Sequence, residues 1–292
     1  MAKLRGVKPA AIEKRLKLFM YGQPGVGKTW ASIQFPNCYL IDTERGAEND
    51  QYVEQLEKSG GASFFTTDLE DLIEEVKTLM TTKHSFKTLV IDPLTVPYAD
   101  MCTREAERLA TAKDPSGSEF ARNKQIPDRL VKHLFTLCNR LDMNVIMTSH
   151  AKAEWKDSKP TGNDTYDCFN KMEYLFDLSI CLQKRGPERW GIVKKTRLTK
   201  FPDGDQFKFS YDEIADRYGR SVIEQESTPA VLATPEQVAR IESLIELLSV
   251  KEEAYSKWLA KEESESWAEM PSEAIQKYIA ACEARVKPTA AA

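Results

Sequence analysis

Between Arg15 and Ser210 the chain alternates short apolar runs with longer stretches whose apolar positions recur every three or four residues. Arg15-Leu-Lys-Leu-Phe-Met-Tyr21, Cys38-Tyr-Leu-Ile-Asp42, Thr88-Leu-Val-Ile-Asp92 and Asn144-Val-Ile-Met-Thr-Ser149 read as strands. Between them, Lys28 to Phe35 reads as a helix closed by Pro36-Asn37. Leu69, Leu72, Ile73, Val76, Leu79 and Met80 share one face of a helix that Thr67-Asp68 can cap. A helical stretch is expected around Ala99 to Ala110, and another over Asp128 to Leu141, with Leu130, Leu134, Leu137 and Leu141 along one side. Apolar strands alternating with helices belong in a parallel sheet covered on both faces, so the fold class is α/β. Asp114-Pro-Ser-Gly-Ser118 reads as a mobile loop, and the polar stretch from His150 to about Asn170 as a longer one. Shorter strands are expected at Leu178 to Gln183, Trp190 to Lys194 and Gln206 to Ser210.

The last part of the chain changes period. Gln225 to Thr234, with Pro229, has the composition of a linker. Thr234-Pro-Glu-Gln237 then opens a helix, with Thr as cap, Pro at the first position and Gln reaching back. That helix carries Val238, Ile241, Leu244, Ile245 and Leu248 on one face, and two shorter helices are expected near Glu252 to Lys261 and Pro271 to Ala284. The expected plan is a core over 1–224, a linker over 225–234, a small helical C-terminal module over 235–286 and a disordered tail over 287–292.

Composition narrows the classes. With 292 residues, 41% hydrophobic and 29% charged, the chain can bury a full α/β core and a small second module. No apolar run approaches the roughly 18 residues of a membrane span, and no signal-peptide pattern opens the chain, so a cytoplasmic protein is expected. The cysteines are scattered with no C-x-x-C pair, which favours buried thiols over disulfides or zinc. A net charge of −4 announces no nucleic-acid partner. The run from Lys184 to Lys200 is nevertheless basic, with Lys184, Arg185, Arg189, Lys194, Lys195, Arg197 and Lys200 against Glu188 alone; it is either a solvated face or a binding surface.

Chemistry concentrates where the first strand meets the first helix. Gly22, Gln23, Pro24, Gly25, Val26, Gly27, Lys28 and Thr29 fit G-x-x-x-x-G-K-[ST] between a strand and a helix, the context that a phosphate-binding P-loop requires. The glycines let backbone N–H groups curl around phosphates, and the helix N-terminus adds its dipole. Lys28 is expected to reach the β and γ phosphates of ATP, and Thr29 to ligate Mg²⁺. Asp92 ends an apolar strand, as the second metal-holding residue should. Its neighbour is Pro93, which cannot serve as a base, so a base must come from elsewhere.

Leu40-Ile-Asp-Thr-Glu-Arg-Gly46 resembles the acidic motif that ends the second strand of the RecA-like recombinase core. That resemblance makes Glu44 the candidate base that polarises the attacking water; otherwise Asp42 and Glu44 are ordinary strand-end polar residues. It also implies that the fourth strand lies between the P-loop strand and the Asp92 strand. His150 then stands where the family often has a phosphate-sensing glutamine, in a sensing or a structural role. The stretch behind it, with Lys152, Trp155, Lys156, Lys159, Tyr166 and Phe169, matches the family's second DNA loop. Aromatics between lysines suit single-stranded DNA, because bases stack on rings while ammonium groups follow phosphates. Glu154, Asp157, Asp164 and Asp167 offset that charge, which leaves a plain loop as the alternative. Lys194-Lys-Thr-Arg197 resembles the K-x-K or K-x-R element that reaches a neighbour's γ-phosphate, so Lys195 and Arg197 are expected to act across a subunit interface or to form a plain basic strand. The resemblance covers about Leu16 to Ser210 and points to a core-only RecA-like ATPase of bacteriophages. Only about fifteen residues precede the first strand, which leaves the mode of assembly open. The implied function is ATP-driven, single-stranded-DNA-binding annealing or strand pairing by a homo-oligomer, filament or ring, with the acidic C-terminal module serving a protein partner. A ring-forming helicase motor and a nucleotide-dependent switch without nucleic acid are the alternatives, since one core hosts all three.

Overall fold

The computed structural model describes residues 13–111 and 119–286. The expected loop at Asp114 to Ser118 and the expected tail at 287–292 lie outside them. In chain order the strands are β1 Lys17–Gly22, β2 Cys38–Asp42, β3 Ala62–Phe65, β4 Thr88–Asp92, β5 Asn144–Lys156, β6 Lys159–Tyr166, β7 Leu178–Arg185, β8 Glu188–Thr196 and β9 Gln206–Lys208. The helices are α1 Lys28–Ser32, α2 Asp50–Lys58, α3 Leu69–Thr81, α4 Thr95–Thr111, α5 Gln125–Arg140, α6 Met172–Leu175, α7 Tyr211–Tyr218, α8 Arg220–Ile223, α9 Pro235–Leu247, α10 Glu252–Lys261 and α11 Ser272–Val286.

The strands form a mainly parallel sheet in the order β3-β2-β4-β5-β1-β7-β8-β9, with β6 paired to β5 alone. Pairs β1–β5, β1–β7, β2–β3, β2–β4 and β4–β5 are parallel, whereas β7–β8 and β8–β9 are antiparallel. β5 lies between β1 and β4, the placement that the RecA-like resemblance implies. The central strands are buried on both faces, as their unbroken apolar sequences require. Leu18 and Met20 of β1, Leu40 of β2, Val90 of β4 and Ile146 of β5 join Ala31, Ile33, Phe35, Leu56, Ile214 and Ile223 in one core. Asn144 starts β5 with a buried amide: its Oδ1 accepts from Leu16 N (3.3 Å) and its Nδ2 donates to Lys87 O (3.0 Å) and Ile223 O (2.8 Å). That one side chain ties the residues just before β1 and β4 to the last residue of α8.

Two compact units interleave along the chain. The first comprises Met1–Leu69, Ser85–Lys124 and Met143–Ser227; the second comprises Glu70–His84, Gln125–Asp142 and Thr228–Ala292. The second unit thus takes in most of α3 and all of α5 together with α9 to α11, a grouping different from the expected division at 225–234. Its joints are specific: Lys77 Nζ lies 2.8 Å from Glu269 Oε1, Arg140 donates to Glu269 O (2.6 Å), and Ala230 N donates to Met80 O (2.8 Å). Its core gathers Ile241, Leu244, Trp267, Met270, Ile275, Ile279 and Cys282. The capping box at Thr234 forms as expected, with Gln237 N donating to Thr234 Oγ1 and Gln237 Oε1 accepting from Thr234 N.

The stretch after His150 is corrected from loop to hairpin. β5 runs on to Lys156, and β6 returns antiparallel through Asp157 and Ser158, both at positive φ (51° and 61°), as a two-residue hairpin turn demands. The sequence hid this because the hairpin is polar on both faces, so no apolar alternation marks it.

Candidate nucleotide site

β1 delivers the chain into the glycine-rich turn, where Gly25 and Gly27 take φ of 75° and 89°, a region that L side chains rarely adopt. Lys28 folds back so that its Nζ donates to Gly22 O (2.9 Å) and Gln23 O (3.4 Å). Burial holds its ammonium below the ordinary lysine range, opposed by the charges of Asp92 and Glu44. Thr29 Oγ1 donates to one oxygen of Asp92, and Thr148 Oγ1, from β5, donates to the other. Burial pushes the Asp92 carboxyl up, while those two hydroxyls and Lys28 pull it back. The parallel register sets Asp92 beside Asp42.

The two acids at the end of β2 separate in use. Asp42 accepts from the N–H groups of Glu44 (3.0 Å), Gly46 (3.3 Å) and Ala47 (2.9 Å), so its carboxylate shapes the turn. Glu44 instead points its carboxylate to His150, with Oε1 3.0 Å from Nε2. His150 closes the β1–β5 register opposite Gly22, and its N–H donates to Thr95 Oγ1 (3.0 Å). Thr29, Asp92, Glu44, Lys28 and His150 therefore come together around one end of the sheet.

The hairpin residues divide. Trp155 is 65% exposed, and Lys152, Lys156 and Lys159 are exposed, with Lys152 paired to Asp167 at 3.0 Å. Tyr166 and Phe169, expected to stack on bases, are buried. Tyr166 packs edge-on against Phe19 (5.2 Å) and Tyr21 (5.7 Å), and its hydroxyl donates to Asn170 O (2.9 Å). They anchor the hairpin's base, because aromatic rings beside the apolar strand β1 gain more from burial than from solvent. A second tie joins the hairpin to the phosphate loop: Gln23 Nε2 donates to Asp164 Oδ1 at 2.7 Å.

Lys195 lies on β8 and Arg197 just beyond it. Lys195 Nζ donates to Phe176 O, while Arg197 pairs with Asp177 (3.1 Å) and donates to Tyr174 O (2.9 Å). Both cations are thus gathered on α6 and the two residues after it. Arg189 was only one member of a basic run in the sequence; the structure lays it against Gly27 of the phosphate loop. No signal in the sequence singles it out, because the contact depends on how β8 folds back along β7, one strand away from β1.

Glycines at positive φ, a lysine curled over the loop and a hydroxyl–carboxylate pair fit a nucleotide phosphate chain, and hard oxygen donors fit Mg²⁺. Among the described residues no group of three or more His, Cys, Asp or Glu could hold a metal. No helix among the described residues is long and apolar enough to cross a membrane. No curated protein sequence matches the chain. The solved structure of the RadB recombinase is similar at 17% identity, with a TM-score of 0.42, over 68% of this chain and 88% of that one. Residues 14–204, which run from before the phosphate loop to beyond Arg197, match the family described as the AAA domain, and the chain belongs to that family.

Proposed function

We propose that this chain hydrolyses ATP, binds single-stranded DNA and promotes annealing or strand pairing in recombination of the bacteriophage type, as a homo-oligomer with ATP between subunits. Lys28 neutralises the phosphate chain, while Thr29 and Asp92 hold Mg²⁺, which when bound offsets charge on the phosphates. Glu44 accepts the proton of the attacking water, and His150 orients its carboxylate. Lys195 and Arg197 serve the site of the neighbouring subunit.

The observation that carries this reading is the Gln23–Asp164 hydrogen bond, which links the phosphate loop to a hairpin bearing an exposed indole among lysines. An exposed indole gives a base a stacking platform, and Lys156 and Lys159 at its tip follow the phosphates. The decisive experiment measures ATP turnover with and without single-stranded DNA; strong stimulation is expected. Equal rates would favour a nucleotide-dependent switch without nucleic acid, a reading that the Lys152–Asp167 pairing supports. Mixing Lys28→Ala with Arg197→Ala subunits tests the shared site. Each is expected to be inactive alone, and the mixture to regain part of the turnover; co-assembly without recovery would remove Arg197 from the neighbour's site.

A further inference from the structure

The reading above leaves Arg189 without a task, although it touches the phosphate loop. It sits on β8 opposite Lys184, and its guanidinium lies so close to Gly27 that a Cβ built there would fall 2.2 Å from Nε and 2.9 Å from Cζ. Its Nε is buried and has no hydrogen-bond partner. The adjacent acid is committed elsewhere: Glu188 pairs with Lys208 Nζ (2.7 Å) and accepts from Trp190 Nε1 (3.2 Å). A sequestered, unpaired donor on a cation is costly, and guanidinium is the side chain best matched to phosphate oxygens.

The order of the strands says which phosphate. Asp92, Glu44 and His150 stand on β4, at the end of β2 and on β5, to one side of β1. Arg189 stands on the other side, across β7 on β8. A nucleoside triphosphate on this loop turns its reacting end toward Asp92 and Glu44, so its α-phosphate and nucleoside lie toward Arg189. Beside Arg189 is a cavity of about 310 Å³ lined by Trp30, Ala31, Gln34, Pro187 and Phe209 among others, at the small end of ligand-pocket sizes. It offers an indole face and an amide.

We propose that Arg189 anchors the nucleotide bound to its own chain, pairing its guanidinium with the α-phosphate while the nucleoside enters the cavity at Trp30 and Gln34. This rests on the reading of Gly22 to Thr29 as a nucleotide site. It makes Arg189 a binding residue that acts within one subunit, unlike the part given to Arg197.

The test is the affinity of the full chain for ADP and for a non-hydrolysable ATP analogue, each with Mg²⁺, measured by calorimetry. Arg189→Ala is expected to weaken both by the same factor, about tenfold or more, and Arg189→Lys to recover part of the loss. Melting of the nucleotide-free variant is measured alongside; if Arg189→Ala does not fold, Arg189→Gln, which keeps the packing stem, is read in the same way. Loss of the ATP analogue alone would place the guanidinium at the γ-phosphate and overturn the proposal. Wild-type affinities in Arg189→Ala, with binding abolished in the separate Lys28→Ala variant, would overturn it while leaving the nucleotide site intact. Failure of the wild-type chain to bind either nucleotide would remove both readings together.

Discussion

Asp92 in the first unit and Glu269 in the second are buried to nearly the same depth, 5% and 6% exposed, yet their proton affinities move in opposite directions. Burial pushes Asp92 up, and its contacts, the hydroxyls of Thr29 and Thr148, recover only part of that cost. Burial also opposes charge on Glu269, but hydrogen bonds from His133 and Lys77 and from the N–H of Glu265 overcome it and bring its pKa to about 2. One carboxylate is finished by its own chain; the other is left with neutral partners beside a phosphate loop. Structural burial of charge satisfies the group internally, whereas the incompletely matched carboxylate of Asp92 is what the proposed Mg²⁺ site would require.

Substitutions can break that contrast. The largest effect is expected from Glu44→Gln, which should keep ATP affinity and lower turnover by about 10²–10⁴, the range of a positioned general base. Turnover within about threefold of wild type would remove Glu44 as the base, since general bases contribute far more. Asp92→Asn should lower turnover by about 10²–10³ while leaving the melting temperature of the nucleotide-free chain equal or higher, because an amide is cheaper to bury than a carboxylate. A clear drop in melting temperature would show that Asp92 is as structural as Glu269.

Glu269→Gln should do the reverse. Breaking a buried pair costs about 3–5 kcal/mol, an upper bound here because Lys77 keeps Glu74 at 2.8 Å, and is read as easier urea unfolding followed at Trp258 and Trp267. The effect should depend on pH. Glu269 has a folded pKa below the ordinary 4.5, so its stabilisation is complete above about pH 4.5 and is lost as pH falls toward 2. The gap between wild type and Glu269→Gln should close over that window; a constant gap would show that charge is not what holds it. Asp92, shifted upward, contributes in the opposite sense, since acid relieves its burial. The smallest effect is at the hairpin: Trp155→Ala should weaken single-stranded DNA binding by about 1–3 kcal/mol, read by fluorescence anisotropy, and leave ATP affinity unchanged. Undiminished DNA binding would move the interface off the hairpin tip.

The sequence by itself determined the parallel sheet and the phosphate loop. Four apolar runs between helices can be buried only as inner strands, and a glycine-rich turn with Lys28 and Thr29 is a local device whose spacing is its geometry. It did not reveal α2, β3, α7 or α8, which are short elements stabilised by what they pack on; Leu56 and Ile214 are buried only because a sheet lies beneath them. Tertiary structure alone decided which acid at the end of β2 faces His150, that Tyr166 and Phe169 face inward while Trp155 faces out, and that most of α3 and all of α5 share a compact unit with the C-terminal helices. It also brought Arg189 to Gly27 across more than a hundred residues of chain. Backbone pattern is written in neighbours along the sequence, whereas the partner of a side chain is set by strand order, and no local signal encodes that order.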